Sequence, residues 1–234
     1  MPLLPVYEWT IGQQVYPLKL TIREELALQE QLGLGIEAML VGEPRISRFV
    51  ALLGAGLRGG GKSTAEPAEL LALITSACLP LPELALDVDG AHYSLTGSLA
   101  VQMAIEQRLD CGIATLKERG LNTGLREMLT VIGEAVKPHA PKIQTQEDIE
   151  ELAELVTRHH LEDCYMALLF DMVSTTQPVI QAASEFLVNI IGANAGAWTE
   201  LDKRLGKHKR KRKEVAEPDP LAHGAISSPS VSAP

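Results

Sequence analysis

Hydrophobic positions along the chain alternate first, then fall into helical spacing, and the same order recurs further on. Val6, Trp9 and Ile11, followed by Val15, Tyr16, Leu18 and Leu20, flank Gly12-Gln-Gln14, a pattern that predicts a β-hairpin. Ile22, Leu26, Leu28 and Leu32 then recur at helical spacing, with Thr21-Ile-Arg-Glu24 as a capping box and Gly33 or Gly35 as the stop. Ile46–Leu57 reads as a second, amphipathic helix and Ala68–Cys78 as a third. Further on, Leu84, Leu86 and Val88 alternate toward Asp89-Gly90, a type I′ turn signal, and Tyr93 and Leu95 return. Ser98 can cap the helix after it, and Leu125–Val136 and Glu147–Arg158 read as the next two.

The recurrence is an internal duplication. At an offset of 77, Tyr16 matches Tyr93, Leu18 matches Leu95, Ala27 matches Ala104, Leu32 matches Leu109 and Gly35-Ile36 matches Gly112-Ile113. Thr21/Ser98, Ile22/Leu99, Leu26/Met103, Leu28/Ile105 and Met39/Leu116 keep their type. After a two-residue insertion the offset becomes 79, and Leu53-Gly54 meets Ile132-Gly133, Leu57 meets Val136, Glu69-Leu70 meets Asp148-Ile149 and Leu73 meets Leu152. An ungapped run that keeps a tyrosine, a capping hydroxyl and a Gly-Ile pair exceeds scattered leucine coincidence.

Beyond the second copy, Leu161–Val173, Pro178–Ile191 and Trp198–Leu205 read as three helices, divided near Pro178 and by Gly192-Ala-Asn-Ala-Gly196. From Gly206 the composition turns basic and then rich in Pro, Ser and Ala, which predicts a disordered tail. The expected fold is α+β and mostly α-helical: two tandem repeats, each a short β-hairpin followed by about three helices, plus extra C-terminal helices and the tail. The expected domains are residues 6–82, 83–205 and 206–234.

Composition supports this plan. Hydrophobic residues make up 46% of the 234-residue chain and aromatics only 4%, so the core is aliphatic, which suits helices. Net charge is −9. Lys203, Arg204, Lys207, Lys209, Arg210, Lys211, Arg212 and Lys213 form a basic cluster without an intervening acid; setting those eight aside leaves 13 basic against 30 acidic residues, a body of −17. Such a body disfavours nucleic acid as a partner, except through Lys207–Lys213. Three separated cysteines without a CxxC pair point to a reduced, cytoplasmic setting. Met1-Pro-Leu-Leu-Pro has neither the charge nor the length of a signal peptide, and no apolar run approaches the ~20 residues of a membrane helix.

The motif closest to enzyme chemistry is Gly56-Leu-Arg-Gly-Gly-Gly61-Lys62-Ser63, which fits the phosphate-binding pattern GxxxxGK[ST]. In that reading backbone amides cradle phosphates, Lys62 neutralises them and Ser63 holds Mg²⁺, with Phe49–Leu53 as the preceding strand and Leu84–Asp87 as an acidic Mg²⁺ strand. Against it, the second copy has Ala135-Val-Lys-Pro-His-Ala-Pro at this place, Pro67 falls at the start of the following helix, and no repeated βαβ pattern is present. A glycine-rich connector is the favoured reading, with no cofactor. His159-His160 with Cys164 has the i, i+4 spacing of metal ligands but no second cluster, so no metal is expected. Cys111 reads as a small core residue, and the acids of Gln146–Glu151 as favourable charge at a helix start.

The first copy resembles the tail assembly chaperones of gene transfer agents and long-tailed phages. The resemblance is carried by Tyr16-Pro-Leu-Lys-Leu-Thr, Glu30-Gln-Leu-Gly33, Phe49-Val-Ala-Leu-Leu-Gly-Ala-Gly-Leu-Arg-Gly59 and Glu69-Leu-Leu-Ala-Leu73. It covers residues 6–80 well, the second copy more loosely and residues 176–234 not at all. The tandem second domain and the basic tail depart from the usual single-domain form. The resemblance implies a non-enzymatic protein of the host cytoplasm that binds the tape measure protein and recruits tail tube subunits, with the AGLRG stretch as an ordinary helix end. A small P-loop nucleotide-binding protein using Gly56–Ser63 and a structural minor tail protein are the alternatives.

Overall fold

The computed structural model describes residues 6–88, 90–140, 142, 143 and 145–216. The first repeat is a hairpin of β1 (Tyr7–Ile11) and β2 (Gln14–Leu18) followed by α1 (Ile22–Leu32), α2 (Ile36–Val41), α3 (Ile46–Gly59) and α4 (Pro67–Thr75). The second is β3 (Leu84–Val88), β4 (Ala91–Leu95), α5 (Leu99–Leu109), α6 (Ile113–Arg119), α7 (Leu125–Val136) and α8 (Gln146–Glu154). A single helix, α9, runs Arg158–Ala216. The fold is thus α+β and mostly helical. Residues through Ile191 form one compact unit; those from Gly192 belong to a separate one.

The two offsets in the sequence are also those of the structure. The hairpin strands and the starts of the first two helices recur at 77 residues, and the third and fourth helices start again at 79. The hairpins share their register, and Trp9, Ile11 and Leu18 are buried as Leu86, Val88 and Leu95 are. The amide of Lys19 donates to the Gly56 carbonyl at 2.9 Å, and that of Thr96 to Ala135 at 3.0 Å. Thr21 Oγ1 accepts from the Glu24 amide, and Ser98 Oγ from the Val101 amide. The expected capping box is half present, because the Glu24 carboxylate turns to Arg58 Nε at 2.7 Å instead of to Thr21. A left-handed residue ends both helices, Gly33 at φ 65° and Asp110 at φ 50°.

Three expectations are corrected. Each repeat has four helices instead of about three, since α2 and α6, of six and seven residues, are too short to show a period. The fourth helix of the second repeat stops at Glu154, not Arg158, which instead opens α9. The three C-terminal helices are one, unbroken at Pro178 and at Gly192–Gly196. A proline inside a helix removes a donor and crowds the preceding turn. Here Ser174, whose carbonyl loses its i+4 donor, is solvent-exposed, and the Thr175 carbonyl accepts from the Leu79 amide at 2.9 Å. The helical backbone also continues through Lys207–Lys213, residues of good helix propensity that the sequence placed in the tail; residues 217–234 lie outside the described residues.

α9 explains how one unit contains two cores. Leu161, Cys164, Tyr165, Leu168, Leu169 and Met172 pack into the second repeat, and Val179, Ala182, Ala183, Phe186, Leu187 and Ile190 into the first. The second set is the first moved on by 18 residues, about five whole turns, so one face of the helix serves both repeats. Between them, the buried Gln102 donates to the Gly97 and Met172 carbonyls at 2.8 and 3.0 Å, and Thr176 Oγ1 donates to its side-chain oxygen.

The repeats also meet directly, α5 lying on α3. Leu99, 1% exposed, belongs to the first repeat's core. Glu106, 2% exposed, accepts from the Ile46 and Ser47 amides at 2.8 and 3.0 Å and from Ser47 Oγ at 2.8 Å. It thereby caps α3, whose own N-cap residue, Arg45, makes no side-chain cap. Beside it Arg45 pairs with Glu43 at 3.1 Å and with Asp110 at 2.7 Å, and Glu43 accepts from the Gly112 amide at 2.8 Å.

Two outcomes follow from this seam. Glu106→Ala strands two amides and a hydroxyl and is expected to cost about 2–4 kcal/mol in urea unfolding, with Glu106→Gln costing less. Burial pushes the Glu43 carboxyl up, but hydrogen bonds from Thr115, the Gly112 amide and Arg45 outweigh it and hold it below its ordinary value. A carboxyl that titrates lower folded than unfolded stabilises above its unfolded pKa and loses that contribution as pH falls. Thermal melts of wild type are therefore expected to drop more steeply than those of Glu43→Gln below about pH 4.5; parallel curves would refute the assignment.

Candidate functional site

The structure separates the sequence's candidate residues into those that hold the fold and those that face outward. Gly56–Ser63 is not a strand–loop–helix phosphate cradle. Phe49–Leu53, the would-be strand, lies inside α3, and Gly56, Leu57, Arg58 and Gly59 are its last turn. The amides a phosphate would need are engaged: Gly60 donates to the Gly56 carbonyl at 2.9 Å, Gly61 to Arg58 at 3.3 Å and Lys62 to Leu57 at 2.9 Å. They close a helix C-terminus, whose dipole repels an anion. Lys62 sits over the Tyr16 ring, 5.9 Å from its centre, and Ser63 is exposed. Leu84–Asp87 lies in the β3 strand, where Asp87 pairs with the exposed His92 at 2.7 Å.

The glycines have a packing cause. A Cβ on Gly59 would lie 2.0 Å from the Lys19 carbonyl oxygen, and one on Gly60 1.7 Å from that of Pro17. A Cβ on Gly56 would meet the Phe186 ring at 2.6 Å. The connection from β2 to α1 thus runs against the bare backbone of α3. In the second repeat α7 ends at Val136, before the positions equivalent to Gly59 and Gly60, so Pro138 and His139 are tolerated there.

The histidine–cysteine group is equally modest. His160 Nε2 lies 4.0 Å from Cys164 Sγ, while His159 turns to Asp163 at 3.5 Å. Among the described residues no three His, Cys, Asp or Glu side chains converge as metal ligands would. Burial raises the thiol pKa of Cys78, Cys111 and Cys164, which keeps them protonated and weakly nucleophilic. No helix of the described residues is long and apolar enough to cross a membrane. Lys207–Lys213 belongs to the separate unit from Gly192, and its side chains lie outside the described residues.

No family, curated protein or solved structure matches the chain. The surface itself therefore carries the functional reading. Its outward apolar residues include Ile22, 73% exposed, and Leu26, 61% exposed, one turn apart on α1. Val15, Val41, Leu121 and Leu125 are further large apolar side chains in solvent. On α1 the spacing i, i+4 places the two on one face. Ile22, Leu26, Leu28 and Leu32 share the helical spacing read from the sequence, and of the four only Leu28 is fully buried. The seam residues Glu43, Arg45, Glu106 and Asp110 went unread, because partners 59 or more residues apart across the seam leave no local pattern.

If Gly60 serves packing, Gly60→Ala destabilises the protein by about 1–3 kcal/mol, as overpacking against rigid backbone does. Gly192→Ala, with nothing within 4 Å of the added carbon, should be neutral or stabilising. Equal melting temperatures for Gly60→Ala and wild type would refute the packing account.

Proposed function

We propose that the chain is a non-enzymatic tail assembly chaperone of the phage or gene transfer agent kind, acting in the cytoplasm of the host. In this reading it binds the tape measure protein and recruits tail tube subunits. The observation that carries the reading is the exposed apolar face of α1, displayed by a duplicated hairpin–helix unit. Exposed apolar side chains grouped on one helix face are a usual mark of a protein-binding surface. The residues of the resemblance fall in the elements it implies: Tyr16–Thr21 at the hairpin's end, Glu30–Gly33 at the end of α1, and Glu69–Leu73 in α4. The AGLRG stretch, Ala55–Gly59, closes α3 as a plain helix end, which also supports it.

The duplication suits an extended partner. Two linked, similar units that engage successive sites raise each other's effective concentration. A structural minor tail protein shares the same surface logic and would remain in finished particles.

Co-expression with the tape measure and tail tube proteins encoded beside this chain, followed by tag purification, tests the proposal. Co-purification with at least one is expected, and Leu26→Asp should weaken it. Recovery of neither partner would sink the chaperone reading. Presence of the chain in purified particles would replace it with the structural one.

A further inference from the structure

The densest run of like charge in the chain lies on the last turns of α9, in the unit that begins at Gly192. Between Asp202 and Glu214 stand eight cations, Lys203, Arg204, Lys207, Lys209, Arg210, Lys211, Arg212 and Lys213, with no acid among them. The backbone is helical through all of them and on to Ala216. At 3.6 residues per turn their positions are spread round the whole helix, with no gap wider than about a quarter turn.

Two ordinary roles fail to account for this run. A solubilising extension raises the magnitude of the net charge, but here +8 added to a body of −17 brings the chain down to −9. Cations favour a helix C-terminus within its last turn, and only Lys213 of the eight stands there. The run also works against its own helix. Lys203/Lys207, Lys207/Lys211 and Lys209/Lys213 are like charges at i, i+4, and Arg204/Lys207, Lys207/Arg210, Lys209/Arg212 and Arg210/Lys213 at i, i+3, each pair destabilising. An anionic partner removes that repulsion, so binding and helix formation reinforce each other.

We propose that Lys203–Lys213 binds double-stranded DNA, lying as a helix in the major groove with phosphates on both flanks. Charge density is the first argument. Eight cations over eleven residues at a rise of 1.5 Å give about one charge per 2 Å, close to the one per ~1.7 Å of duplex DNA. Distribution is the second. A folded acidic protein meets one side of a helix, and an anionic membrane needs an apolar face, for which Leu205 alone is available. The major groove, ~12 Å wide, admits an entire helix and sets phosphates on either side of it, which uses cations at every angle. Side-chain type is the third. No Asn or Gln stands between Lys203 and Lys213 to read adenine, so phosphate neutralisation dominates and sequence preference is weak. The inference rests on the charge and helicity of this segment and is independent of the chaperone reading.

Fluorescence anisotropy of the full chain with a short labelled DNA duplex, over a salt series, is the test. Wild type is expected to bind at low salt, with a log–log salt slope of about −4 to −7, since each neutralised phosphate contributes about −0.9. Lys209→Gln, Arg210→Gln, Lys211→Gln and Arg212→Gln combined keep good helix formers, and should weaken binding at least tenfold and flatten the slope by about 3–4. His208→Pro keeps every cation but interrupts the helix, and should also weaken binding about tenfold or more. Absence of binding at low salt overturns the proposal, as does a salt slope unchanged in the quadruple variant. Full affinity in His208→Pro overturns the helical mode. Equal affinity for duplex RNA, whose major groove is too deep and narrow for a helix, overturns the groove assignment. Displacement of the duplex by poly-glutamate or phosphatidylserine vesicles as effectively as by unlabelled DNA of equal charge would replace DNA with an acidic protein or a membrane.

Discussion

Everything in the compact unit depends on the burial of one face of α9. Neither hairpin with its four helices closes its own core; each lacks one wall, and the same helix supplies both. The leucines, methionine, valine, isoleucine and aromatics it buries between Leu161 and Ile190 contribute about 1.5–3 kcal/mol each when fully covered. Few other elements bury so many. The order of attachment is reversed with respect to the chain: α9 completes the second repeat first and the first repeat last. The first repeat's core therefore includes residues more than a hundred positions away from its own helices, a non-local contact that ties the stability of the two copies together.

That constraint accounts for features that look anomalous on their own. Pro178 is tolerated because the turn it weakens lies between the two cores, where Leu79, Gln102 and Thr176 hold the backbone and side chains. The repeats have also diverged in a matched way. The first has Gly56 against Phe186, and the second has Ala135 and Leu168 at the equivalent positions. The smaller wall goes with the bulkier side chain, as volume conservation in a close-packed interior requires.

What the sequence disclosed was whatever local pattern records. The hairpins, the capping hydroxyls of Thr21 and Ser98, and both offsets were readable, because alternation, spacing and self-similarity are properties of short segments. The continuity of α9 was not, because proline and glycine punctuate a sequence by propensity, and here tertiary contacts override it. Nor was Glu106, which looks like one more surface acid on α5 until α3 is seen to start against it. The exposed side of α1 was not legible for a related reason. Periodicity says that Ile22 and Leu26 share a side of the helix, but not that a fold leaves that side open.

The glycine-rich stretch shows how far a motif can drift from its chemistry. GxxxxGK[ST] works as a phosphate site because free amides point at the ligand from a helix N-terminus. In this chain the same letters sit at a helix C-terminus, where Gly60, Gly61 and Lys62 spend their amides on the carbonyls of the last turn. Gly59 and Gly60 are set by the Lys19 and Pro17 carbonyls, which come too close for any side chain. Backbone approach is what both arrangements share, and it selects glycine in either. The direction of the helix distinguishes them, and that direction is a property of the fold that the eight letters do not contain.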